Sequence, residues 1–458
     1  MVSFSSLEFL FRFLPVFLGI YFAVPAKYRE SALLFGSIIF YAAGEPVFIL
    51  ALILCTLVNY YFGMEIWKLG IGFEMHGWQK KKRKSLVMQA VALDAAVLIV
   101  FKCLAVFVDS SLLPVGMSFY IFKMISFQAD FIRGEIWSCP SFRQTAVYFT
   151  MFPQIVQGPI MRYHEGDFGN EKHVSLGQLE NGLIYFVMGL GMKALLADRL
   201  AILWKDLQMI GFKSISTPLA WMGAFGYSLQ LYFDFWGYSL MASGILVMLG
   251  YPFVENFKHP YAAGSISEFY RRWHVTLGSW FRDYVYIPLG GSRGRKPRIV
   301  FNLALVWILT GLWHGNGLNY LIWGGILGLF VILEKLFLGN ILKKFPVAGN
   351  FYVLVCIPLT WVVFAITDLK KLGIYFGRLF PFIGGAGIAV NRQDIITYGM
   401  NYGIYFIAGI MLCIPAVFKF IEGHKKNPVI VLALALVFWA SVYFIASSVG
   451  NPFMYLNF

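Results

Sequence analysis

The chain has 458 residues, 59% of them apolar and only 13% charged, and its 37 Lys and Arg against 23 Asp and Glu leave a net charge of +14. Soluble domains carry about a quarter charged residues, so this composition excludes an ordinary soluble protein. The positive excess is gathered into short segments between apolar runs, a pattern of membrane topology and not of nucleic-acid binding.

Apolar runs near 20 residues recur from end to end, each able to cross a hydrocarbon core of about 30 Å as a helix. The first, at 7–24, is interrupted by Arg12 and has neither a basic lead-in nor a small-x-small cleavage site, so it is expected to be retained and not removed as a signal. Further spans are expected at 49–66, 86–108, 183–197, 219–249, 299–312, 321–337, 351–367, 402–420 and 429–444, with shorter pieces at 32–43, 113–131 and 146–160. The expected fold is all-α and polytopic, with roughly 10 to 13 membrane helices and re-entrant elements. No linker of domain size interrupts the series, which predicts one membrane-embedded domain over 1–458 with a motif-rich core at about 110–340.

Three basic segments punctuate the runs: Lys80, Lys81, Lys82, Arg83 and Lys84; Arg293, Arg295, Lys296 and Arg298; and Lys425 with Lys426. They are expected to be cytoplasmic loops that anchor the chain against anionic lipid, binding of a ligand's phosphates being the other reading. Cys55, Cys103, Cys139, Cys356 and Cys413 lie scattered without C-x-x-C spacing, which indicates neither a metal site nor a disulfide framework. Asp94 with Lys102, and Lys123 with Asp130, read as helix-end or intrabundle charges.

Polar groups inside apolar runs need a reason to be there, because burying one in lipid costs roughly 2.5–3.5 kcal/mol on insertion scales. Gln230, Tyr232 and Asp234 stand in an aromatic run, where Asp234 could orient an imidazole, pair with an arginine or serve packing alone. Over 265–298, Arg271, Arg272, His274, Arg282 and Asp283 interleave with aromatic rings, a mixture that fits an interfacial or re-entrant element; Pro288, Gly290 and Gly291 then break it. Arg271 and Arg272 have the fork geometry that matches phosphate oxygens. His314, preceded by Trp313 and flanked by Gly311, Gly315 and Gly317, could move a proton near neutral pH or simply bond a neighbouring helix.

Together these segments resemble the membrane-bound O-acyltransferase family, in its bacterial alginate O-acetylase-like branch. The resemblance is carried in order by PVGMSFY at 114–120, FPQIVQGPI at 152–160, YFDF at 232–235, SISEF at 265–269, RRWH at 271–274, RDYVYIPLGG at 282–291, GLWHG at 311–315 and NPFMY at 451–455. Departures are Tyr270 and Trp236, where tryptophan and serine are more usual, and a missing arginine near 361–365. The resemblance implies a ring of helices around a central tunnel, with His314 as the catalytic base and His274 as a second functional residue. It implies no bound cofactor, acetyl-CoA as the donor substrate, a cell-envelope or exopolysaccharide hydroxyl as the acceptor, an extracytoplasmic partner protein, and a place in a bacterial cell membrane. A teichoic-acid D-alanylation enzyme with a carrier-protein thioester is the alternative within the family, and a secondary transporter, recognisable by substrate flux without acyl transfer, the alternative outside it.

Overall fold

A computed structural model describes residues 3–70, 76–383, 391 and 393–447, and among them the secondary structure is helical with no strand. Eight helices there are long and apolar enough to cross a membrane: Ile49–Lys68, Gly77–Phe107, Ser110–Arg133, Thr217–Met248, Leu318–Lys344, Pro346–Ala365, Asp394–Cys413 and Pro428–Ser447, with the shorter apolar helix Phe9–Ala23 beside them. The chain is therefore a multi-pass membrane protein, as its composition requires. Two expected spans are not among the eight: 183–197 falls in Leu176–Gly191, which runs into the π-helical turn Met192–Ala197, and 299–312 falls in the α-helix Lys296–His314. In Asp394–Cys413 and Pro428–Ser447 only 6% of the apolar stretch is buried by protein, as fits helices that face the membrane.

The chain divides into two compact units, Met1–Val187 with Tyr238–Glu255, and Met188–Gly237 with Asn256–Phe458. In the first, phenylalanines 4, 9, 13, 17, 40 and 152 pack ring against ring. Among its buried polar groups, Asn59 donates to Asp94 at 2.8 Å, Gln128 donates to Asn59 at 2.9 Å, and Lys123 donates to Gln154 at 2.9 Å while lying 4.7 Å from the centre of the Tyr148 ring. The Asp94 and Lys123 partners are thus amides, and Asp130 faces Arg133 at 3.5 Å.

The first basic run is not a loop. Residues 80–84 form part of the Gly77–Phe107 helix, and Arg83 is buried with its guanidinium donating to the Phe131 carbonyl. Long cationic stems tolerate this because the stem packs while the head finds an oxygen.

Gly116, in the PVGMSFY segment, caps the Met117–Arg133 helix with φ 76°, and a Cβ there would lie 2.1 Å from the Ile155 carbonyl oxygen. Gly116→Ala is expected to destabilise the fold by about 1–2 kcal/mol from the left-handed backbone alone, with the clash in addition. Thermal melting of the detergent-purified protein measures this, and an unchanged midpoint would contradict it.

Candidate active site

The charged window folds as two short helices, Ile266–Arg272 and Val275–Phe281, followed by a π-helical turn and glycine-bearing turns. The SISEF residues build the first helix's start. Ser265 accepts from the Glu268 amide at 3.1 Å, and the Glu334 carboxylate accepts from the amides of Ile266 at 2.7 Å and Ser267 at 2.8 Å. Three amides that a helix start leaves without intrahelical partners are thereby satisfied. Glu268 also holds Arg272, so that arginine is turned to an ion pair on its own helix.

His314 ends the Lys296–His314 helix, where Gly315 departs in an extended conformation. That helix and Leu318–Leu333 cross at backbone contact: a Cβ on Gly311 would lie 2.6 Å from the Tyr320 carbonyl oxygen, and one on Gly324 2.5 Å from that of Trp307. Small residues at a membrane helix crossing let the backbones approach this closely. The His314 ring sits edge-on to Trp323 at 5.0 Å and to Phe364 at 5.2 Å, with Trp313 at 4.6 Å. Asn319 fixes one wall by donating to the carbonyls of Phe364 at 2.9 Å and Val363 at 3.3 Å.

His314 and His274 line one cavity of about 470 Å³ in the second unit, although each side chain is 5% exposed or less. Leu303, Val306, Trp307, Thr310 and His314 contribute one face of their helix, at steps of three and four residues. From Leu303 to His314 the cavity wall runs about 16 Å at 1.5 Å per residue. Arg271 and Arg282 supply its charge. A second cavity of about 610 Å³ shares Ser267, Arg271, Tyr286, Leu303 and Val331 with the first and adds Lys335 and Lys343. Its carboxylates, Glu268 and Glu334, are engaged as described, so cations dominate what remains.

His274 stands outside the eight spanning helices, and burial pushes its imidazole well below the usual histidine value, favouring the neutral ring. Among the described residues no group of three or more His, Cys, Asp or Glu side chains gathers as a metal site.

The other expected residues lie elsewhere. Asp234 meets Lys193 at 2.7 Å, and Lys193 also meets Asp198 at 2.7 Å, a cation that sequence reading passed over inside an apolar run. Tyr232 packs against Trp236 at 5.0 Å and against Trp273, a cavity-lining ring, at 5.9 Å. Gln230 is buried on the same helix, and neither it, Tyr232, Asp234, Arg272 nor Trp313 lines the cavity. Sequence reading also missed Asn256, which reaches the His274 ring at 3.1 Å.

The profile of the membrane-bound O-acyltransferase family matches residues 33–376, three quarters of the chain. The chain belongs to the membrane-bound O-acyltransferase family. Both histidines and both cavities of this acyltransferase fall within the matched stretch. A probable alginate O-acetylase of Pseudomonas syringae pv. tomato is 34% identical over 93% of this chain and 83% of its own length. A peptidoglycan O-acetyltransferase of Helicobacter pylori is 29% identical over 99% of the chain and 97% of its own. A teichoic acid D-alanyltransferase of Bacillus subtilis is 27% identical over 46% of the chain and 55% of its own. The acyltransferase thus resembles the O-acetylating relatives along nearly its whole length and the D-alanylating one over less than half.

Proposed function

We propose that this O-acyltransferase carries an acetyl group from cytosolic acetyl-CoA to a hydroxyl of a cell-envelope polysaccharide on the far side of a bacterial cell membrane. The transfer goes directly to the sugar or through the hydroxyl of an extracytoplasmic partner protein. The observation that carries this reading is the sharing of one cavity by His274 and His314, continuous in its lining with a second that holds Lys335, Lys343 and Arg271. The basic segments around 293–298 and 425–426 mark the cytoplasmic face.

The donor's phosphates bind the cations of the second cavity, its slender arm lies along the face from Leu303 to Thr310, and its thioester reaches His314. His314 takes the proton of the acceptor hydroxyl, and the oxygen attacks the thioester carbonyl. The tetrahedral adduct collapses with cleavage of the C–S bond, and the leaving thiolate recovers the proton from the imidazolium. Aromatic walls exclude water, which protects the thioester from hydrolysis. Full-length relatives named for O-acetylation of alginate and peptidoglycan support an acetyl group and a glycan acceptor.

The test supplies proteoliposomes with labelled acetyl-CoA or, in parallel, with an aminoacyl-carrier thioester, in the presence of envelope glycan. Label from acetyl-CoA is expected on the glycan or on a co-reconstituted partner. Transfer from the carrier thioester alone, or solute flux without acyl transfer, would overturn the reading.

A further inference from the structure

His274 is held in an unusual place. It links the helices Ile266–Arg272 and Val275–Phe281 with φ 46° and ψ 53°, a left-handed conformation that side chains bearing a Cβ avoid. The segment around Asn256 clamps this turn from both sides: the Asn256 carbonyl accepts from the Val275 amide at 2.9 Å, and the Lys258 amide donates to the Arg272 carbonyl at 2.9 Å.

The Asn256 side chain then reads out the protonation of the ring. Its Oδ1 accepts from the Thr276 backbone amide at 3.3 Å and from the Thr276 hydroxyl at 2.9 Å. A backbone N–H can only donate, so the side-chain atom turned to it must be the amide oxygen and not the nitrogen. The same oxygen lies 3.1 Å from His274 Nδ1, which must therefore be the donor. The proton sits on Nδ1, and Nε2 keeps its lone pair. Nε2 is buried, has no hydrogen-bond partner among the described residues, and belongs to a ring that lines the cavity with His314.

From this we infer that Asn256 is a positioning residue: it locks His274 in the Nδ1–H form, so that Nε2 accepts a hydrogen bond from an O–H or N–H of the bound substrate. In this form the ring has no donor to offer an oxyanion, a role that needs N–H or O–H groups aimed at the developing charge. Its surroundings keep it neutral. The ring is buried, which penalises the imidazolium, and Phe235 packs edge-on against it at 4.6 Å. The role assigned to Nε2 rests on the proposed acyl transfer, whereas the tautomer does not.

Two readouts test it. With ¹⁵N-histidine-labelled protein in lipid bilayers, the His274 signals, assigned by their loss in His274→Gln, are expected to report a protonated Nδ1 and a bare Nε2. Asn256→Ala should mix the tautomers and Asn256→Asp should retain them. In kinetics, Asn256→Ala is expected to lower kcat by roughly 10- to 100-fold, as loss of an orienting partner on a functional histidine does. Asn256→Asp should recover most of the activity at alkaline pH. It should lose that activity at a higher pH than the wild type on acidification, because a carboxylate facing Nδ1–H favours the imidazolium. A wild-type ring protonated on Nε2 overturns the inference, as does an acid limb that stays put in Asn256→Asp. The expected tautomer in a protein without acyl transfer would remove the functional reading and leave the positioning role standing.

Discussion

Replacing His314 by alanine is expected to lower kcat for acyl transfer by roughly 10²- to 10⁴-fold, the share that a positioned proton acceptor contributes. The KM for the thioester should change little, because the imidazole acts on the hydroxyl proton in the transition state while the donor is held chiefly by cations elsewhere in the cavities. The ring ends its helix between Trp313, Trp323 and Phe364, so truncation leaves a small void among aromatic side chains. His314→Gln, closer in volume, should therefore melt near the wild type and still be inactive. Initial rates with labelled acetyl-CoA, taken beside melting curves, separate chemistry from folding. A variant that keeps full activity would take the base out of the account.

The second large effect concerns stability. Lys193 stands between Asp234 and Asp198, 2.7 Å from each, and the side chains of Lys193 and Asp234 are 2% and 3% exposed. Lys193→Met removes the cation and leaves both carboxylates facing its place, which should cost about 3–5 kcal/mol, the usual penalty for breaking a buried ion pair from one side. Asp234→Asn added to Lys193→Met should return part of that loss, since the charge that needed the lysine is gone. Melting midpoints of the single and double variants check this. A single variant as stable as the wild type would show that the cluster contributes nothing.

The same cluster illustrates where reading the sequence runs out. Asp234 was visible as a carboxylate deep in an aromatic run, yet its partner lay in a segment that read simply as apolar. Lys193 and Asp198 are five residues apart, a spacing that an α-helix turns away from one another. The π-helical stretch Met192–Ala197, with its wider turn, brings them together. A lone lysine in an apolar run was the available signal, because it demands a carboxylate.

Periodicity and hydropathy located the membrane helices well, since length and apolarity are what lipid selects. They misplaced Lys80 to Lys84, where a basic run read as a loop proved to be the start of a long helix. The two histidines were legible as motif residues, but motif order cannot say that both line one cavity, a matter of tertiary packing. Asn256 carried no signal, because it acts through a turn that exists only when Trp273, His274 and Val275 fold back against it. The NPFMY segment at 451–455 lies outside the described residues.

Catalysis as proposed requires that a thioester reach the chamber shared by the two histidines. The direct measurement is an experimental structure of the protein in lipid with a thioether analogue of acetyl-CoA, which binds without reacting. The reacting carbon should lie beside His314, with the analogue's arm along the Leu303–Thr310 face and its phosphates at Lys335, Lys343 and Arg271. An analogue bound in some other part of the protein, with that chamber still empty at saturation, would contradict it.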